Sequence, residues 1–132
     1  MNKIKQCIDE LVDRFKIPKD KIIGVGFSLP GTVNEEKLLL VNAPNLKLYN
    51  IDFRMYEKLY NYKLFIENEA NAAAYAETFL NPDKVRKNLV FVSITEGIGA
   101  GIMINDNLYK GNNKHAGEFR SEERRVGKEC ME

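Results

Sequence analysis

The chain has 132 residues, 44% hydrophobic and 30% charged, which is enough for one domain or one lobe of a larger one. Its 20 Lys and Arg against 19 Asp and Glu give a formal net charge of +1, so no broad electrostatic footprint for nucleic acid or a membrane surface is present. No apolar run approaches the roughly 20 residues that span a bilayer, acidic residues interrupt the N-terminal MNKIKQCIDELVDRF as they would not in a signal peptide, and Cys7 and Cys130 alone make no disulfide framework; a cytoplasmic protein is expected.

Ile4, Cys7, Ile8, Leu11, Val12 and Phe15 recur at helical spacing with charges between them, which predicts an amphipathic helix ended by Pro18. Ile22 to Leu29 reads as a buried strand stopped by Pro30-Gly31. Lys37 to Val41 is a second apolar run of strand length, and NAPNLKLYN after it reads as a polar loop. Ile51 to Tyr60 predicts a helix with Asp52 in its first turn and Phe53, Tyr56, Leu59 and Tyr60 on one side. Lys63 to Ile66 is a short strand, and Ala70 to Leu80 is helical by propensity up to Asn81-Pro82. Asn88 to Ile94 and Gly101 to Ile104 read as strands about a Gly-rich turn, and Asn105 to Asn107 turns the chain into a hairpin. Alternating helices and strands, with no repeat and no low-complexity linker, argue for an α/β layer architecture.

Four stretches carry chemistry. In VGFSLPGTV, Gly31 either makes a tight turn or lets a ligand approach the backbone closely. In ENEANAAAYAE, Asn68 or Glu69 either caps the following helix or forms a polar cluster at the carboxyl end of a strand, where open α/β sheets bind ligands. An amide beside a carboxylate supplies the donor and acceptor that sugar hydroxyls need. In SITEGIGAGIMI, Gly97, Gly99 and Gly101 form either a turn between strands or a weak phosphate signature, and Glu96 counts against phosphate. GNNKHAGEF holds the only histidine, His115, which lacks partners at metal-site spacing, and Glu118, which could face a cleft.

Taken in order, GVGFSLPGTV, APNL, IENEANAAA, VSITEGIGAGIMINDNLYKG and AGEF resemble the ROK family of bacterial sugar-responsive repressors, uncharacterised reading frames and sugar kinases. The resemblance covers most of Ile22 to Phe119. It implies an actin-like ATPase (ribonuclease H-like) fold of two α/β lobes with sugar in the cleft between them, here covering most of the first lobe and the start of the second. By position, Gly31, Asn45, Asn68, Glu69 and Glu118 match sugar-contacting residues, and Gly97, Gly99 and Gly101 match the second phosphate loop of the kinases. Glu69 stands where the kinases usually carry the Asp that takes a proton from the attacking hydroxyl, and the extra methylene is costly, since a misplacement of roughly 1 Å can cost on the order of 100-fold in rate. Thr95-Glu96 stands where the kinase loop usually has Gly-Thr, and a carboxylate there repels phosphate. Both departures resemble the repressor branch.

The resemblance therefore implies the sugar-binding effector domain of a regulator, with an ATP-dependent hexose kinase of the glucokinase or N-acetyl sugar kinase type as the alternative. The ligand is a sugar or sugar phosphate. ATP and magnesium belong to the kinase alternative, and zinc to a complete parent. Operator DNA would be reached through a domain not in these residues, and the parent is expected to be a homo-oligomer away from membranes. The family's opening Asp-x-Gly-x-Thr hairpin, its Gly-His and Cys-rich zinc motif, its second-lobe helices and any winged helix-turn-helix have no counterpart here, so the chain is expected to be an internal fragment. Arg120 to Cys130, RSEERRVGKEC, resembles the translation of a common DNA-sequencing adapter. The ROK-like domain is accordingly expected to occupy residues 1–119, with a non-native tail at 120–132.

Overall fold

The computed structural model describes residues 2–80, 88–95 and 97–111. Asn81-Pro82, Glu96, His115, Glu118 and the adapter-like tail lie outside them.

Helix α1 (Asn2–Arg14) lays Ile4 and Ile8 against the main core. Leu11 and Phe15, predicted to share that stripe, are exposed, as is Cys7. Strand β1 (Val25–Leu29) is shorter than the predicted Ile22 to Leu29 because its partner sets its start. The Val25 N–H donates to the carbonyl of Lys63 at 2.8 Å, and that partner strand begins at Leu64. Lys19–Lys21 ahead of it form a single 3₁₀ turn.

A three-stranded antiparallel meander follows: β2 (Thr32–Asn34), β3 (Leu39–Ala43) and β4 (Leu48–Asp52). The segment read as a polar loop is thus a 3₁₀ turn, Pro44–Leu46, and a strand. Lys47 takes the left-handed conformation at φ 54° and reverses the chain, and Leu48 then pairs with Ala43. Leu48 and Tyr49 remain exposed, so the strand shows no apolar alternation at its start. Helix α2 (Arg54–Tyr60) begins later than predicted because Ile51 and Asp52 belong to β4. Asp52 still serves the helix from outside: its Oδ1 accepts the Arg54 N–H at 2.9 Å. Hydrogen bonds from the Arg54 side chain and backbone hold the Asp52 carboxyl below the usual carboxylate range.

The main core is built from Val33, Leu40, Ala43, Phe53, Tyr60, Leu64 and Ile66. Phe27, Phe53, Tyr56 and Tyr60 form a chain of tilted and edge-on rings, with successive centroids 5.4, 6.0 and 5.8 Å apart. Leu59, predicted on the same face, is exposed. Burial pushes the Tyr60 hydroxyl pKa up.

Strand β5 (Leu64–Asn68) pairs with β1 in parallel and passes without a loop into helix α3 (Glu69–Leu80). A second antiparallel sheet contains β6 (Leu89–Ile94), β7 (Ile98–Ile104) and β8 (Asn107–Tyr109). The predicted hairpin forms about Asn105 and Asp106, both at positive φ, as a two-residue turn of this twist requires. Helix α3 packs on β6 and β7. The contact is close enough that a Cβ built on Gly101 would stand 2.2 Å from the Ala70 carbonyl oxygen and 2.6 Å from the Ala74 Cβ. Gly101 and the alanine run are therefore two halves of one helix–strand contact.

Gly101→Val should lose about 1–3 kcal/mol by forcing α3 off β7. Gly26→Ala, where an added Cβ meets nothing within 4 Å, should change stability by less than about 1 kcal/mol. Equilibrium denaturation of the two variants measures the difference, and equal losses would contradict the packing account.

Candidate functional site

The parallel register of β1 and β5 sets Leu29 opposite Asn68. Two separate sequence motifs thereby become neighbours at the carboxyl ends of adjacent strands, Pro30-Gly31 on one and Asn68-Glu69 on the other. Open α/β sheets place ligands at such strand ends. Gly31 has φ +88°, and a Cβ there would stand 2.0 Å from the Asn42 carbonyl oxygen, so only glycine lets the chain turn this tightly against β3.

Glu67, Asn68 and Glu69 point to three different tasks. The Glu67 Oε1 accepts the Asn68 N–H at 2.9 Å, and its Oε2 pairs with Lys110. Asn68 is 7% exposed. Its Oδ1 accepts the N–H groups of Ala70 at 2.9 Å and Asn71 at 3.1 Å, and its Nδ2 donates to the Gly31 carbonyl at 2.7 Å. Asn68 is thus the cap of α3 and also the tie between that helix and the Gly31 turn. Glu69, the first residue of α3, is exposed and lines a cleft.

That cleft, about 630 Å³ including the part open to solvent, has two walls. One holds Pro30, Gly31, Asn45, Asn68 and Glu69, and the other holds Ser93, Thr95, Gly97 and Gly99 from the β6–β7 hairpin. Pro44 opens the 3₁₀ turn that presents Asn45. The β6–β7 turn is closed by a hydrogen bond from the Thr95 N–H to the Gly97 carbonyl at 3.0 Å. Gly99, read in sequence as part of the Gly-rich turn, lies inside β7, which begins earlier than the predicted Gly101. Gly101 faces α3, while Gly97 and Gly99 line the cleft. Glu69 is the one charged residue among the described lining residues.

The structure brings Gly31, Asn45, Asn68, Glu69, Gly97 and Gly99 together around one cleft. Glu118 lies outside the described residues. Sequence reading missed Ser93, whose side of β6 only the sheet reveals, and Lys110, which lies 43 positions from its carboxylate partner Glu67. Among the described residues no group of three His, Cys, Asp or Glu side chains could hold a metal ion. No helix among them is long and apolar enough to cross a membrane.

The ROK family model matches residues 1–122. The chain belongs to the ROK family. It is 40% identical over 99 residues to a protein named xylose repressor from Bacillus subtilis (strain 168), covering 74% of this chain and 26% of that protein. A protein named glucokinase from Halalkalibacterium halodurans is 28% identical over 119 residues, covering 88% of this chain and 36% of that protein. A crystal structure of a ROK family transcriptional regulator, described as a homologue of the E. coli MLC protein, superposes with a TM-score of 0.74 at 25% identity, over 88% of this chain and 30% of that one. This ROK chain therefore carries part of the family's actin-like ATPase fold, and it spans about a quarter of the length of the xylose repressors it matches.

Asn68→Ala should lose about 1–3 kcal/mol, because it removes the cap of α3 and leaves the Gly31 carbonyl without its donor. Asn68→Asp keeps an oxygen for the Ala70 and Asn71 amides but loses that donor, so it should fall between Ala and wild type. Denaturation curves order the three, and an Asn68→Ala midpoint equal to wild type would remove the cap from the account.

Proposed function

We propose that this chain is the sugar-binding effector part of a ROK-family transcriptional regulator, with the sugar in the cleft between the Gly31–Asn68–Glu69 wall and the β6–β7 wall. The observation that carries the reading is Glu69 at the head of α3, beside Asn45 and the Gly31 turn. A carboxylate accepts from sugar hydroxyls, while the Asn45 amide both donates and accepts. Asn68 positions both neighbours through its bonds to Gly31 and to the first turn of α3. Similarity to proteins named xylose repressors makes D-xylose the first sugar to test. In this reading operator DNA is bound by another domain of the parent, the parent is a homo-oligomer, and residues 120–132 are not part of the natural protein.

A hexose kinase is the second reading, favoured by Gly97 and Gly99 on the wall facing a surviving carboxylate. ATP with magnesium would supply the phosphoryl group, and the Thr95 hydroxyl and the Gly97 backbone are the groups here that could hold a phosphate. Three features weigh against it. Glu69 has a longer reach than Asp, Glu96 follows Thr95, and the third glycine, Gly101, is covered by α3. In either reading zinc would be held by the complete parent.

The test uses the full-length product of the source locus. Calorimetric titration with D-xylose and D-glucose should show binding that Glu69→Ala weakens at least roughly tenfold, since a buried sugar hydroxyl loses its acceptor. No ATP-dependent phosphorylation should appear, and operator binding should respond to the sugar. Phosphorylation of a hexose at enzyme-like rates, with no DNA-binding segment in the gene, would move the assignment to the kinase. Sequencing the locus through Phe119 decides the tail: native reads that continue into RSEERRVGKEC would reject its exclusion.

A further inference from the structure

Lys110 directly follows β8, and its side chain is 15% exposed. Its Nζ stands 2.5 Å from the Glu67 Oε2 and 3.0 Å from the Glu35 Oε1. Glu35 opens the turn after β2, Glu67 lies on β5, and Lys110 ends the hairpin that shares a sheet with the second cleft wall. The contact continues inward, because the other oxygen of Glu67 holds the Asn68 N–H, and Asn68 holds both Gly31 and the start of α3. A single ammonium therefore joins the two walls and sits between two carboxylates that would otherwise repel each other.

We propose that Lys110 is a positioning residue for the ligand cleft: it latches the β6–β8 sheet to Glu35 and Glu67 and so sets the spacing of the Asn68–Glu69 wall from the Thr95–Gly97 wall. This rests on the cleft being the sugar site. Lys110 is not among the described residues that line the cleft and acts through Glu67. Its charge is the operative feature, because a neutral side chain of similar length takes away the cation that both Glu35 and Glu67 engage. An arginine keeps the charge and offers donors to both carboxylates.

The experiment compares wild type, Lys110→Met and Lys110→Arg in the full-length protein. It reads D-xylose and D-glucose affinity by calorimetry and peptide-level hydrogen exchange with no sugar present. Lys110→Met should weaken sugar binding roughly tenfold, with Lys110→Arg within about threefold of wild type. Exchange in Lys110→Met should accelerate over residues 67–71 while the core over residues 60–66 keeps its protection. That contrast separates a local latch from general destabilisation. Wild-type affinity and exchange in Lys110→Met would overturn the proposal, as would equal damage from Met and Arg. If wild type binds neither sugar, the functional reading fails, and the exchange contrast between Met and Arg alone decides the latch. Should Lys110→Met not fold, Glu35→Gln, which removes one of the two pairs, is read in the same way with a smaller effect.

Discussion

The parallel pairing of β1 with β5 is the constraint on which the rest of this molecule depends. Each strand ends in a motif that is ordinary by itself, a Pro-Gly turn and an Asn-Glu helix start. The register brings them side by side, and the Asn68 amide then bonds to the Gly31 carbonyl at 2.7 Å. Since the same Asn68 caps α3, the direction of that helix and the position of the turn cannot vary independently. A displaced register would break the tie and move Glu69 away from the Gly31 turn.

Helix α3 transmits that constraint to the second sheet. It is rich in alanine, and it meets β7 at Gly101 with no room for a side chain between them. Such a contact tolerates little sliding, because backbone and methyl groups are already at packing distance. The β6–β7 hairpin is consequently held at a set height above the start of α3, where Thr95 and Gly97 face Glu69 across the cleft. The close packing that excludes side chains at Gly101 also takes that glycine away from any ligand.

Charge is distributed unevenly about the cleft. Glu35 and Glu67 lie off its lining and share Lys110, while Glu69 stands on it. A carboxylate on the lining suits hydroxyl groups and disfavours phosphate groups. Sequence similarity is greater to the xylose repressors than to the glucokinase.

The sequence by itself determined several element types: the first helix and the strand before Pro30-Gly31 from their apolar runs, the alanine-rich helix from its propensity, and the hairpin about Asn105 from its turn residues. It also determined the family, through short motifs whose order is far more specific than any one of them. It did not disclose β4, because Leu48 and Tyr49 stay exposed, or the true limits of β1, because a strand begins where its partner begins. Gly31, Asn45, Asn68, Glu69, Gly97 and Gly99 were legible as site candidates. Whether Asn68 caps, ties or does both was decided only by the fold, since Gly31 lies 37 positions away while Ala70 and Asn71 lie two and three positions away. The facing of Gly101 toward α3 and the clamping of Glu35 and Glu67 by Lys110 were likewise decided by tertiary structure. Periodicity reports what a residue shows to its own element, and these contacts arise between elements brought together from distant parts of the chain.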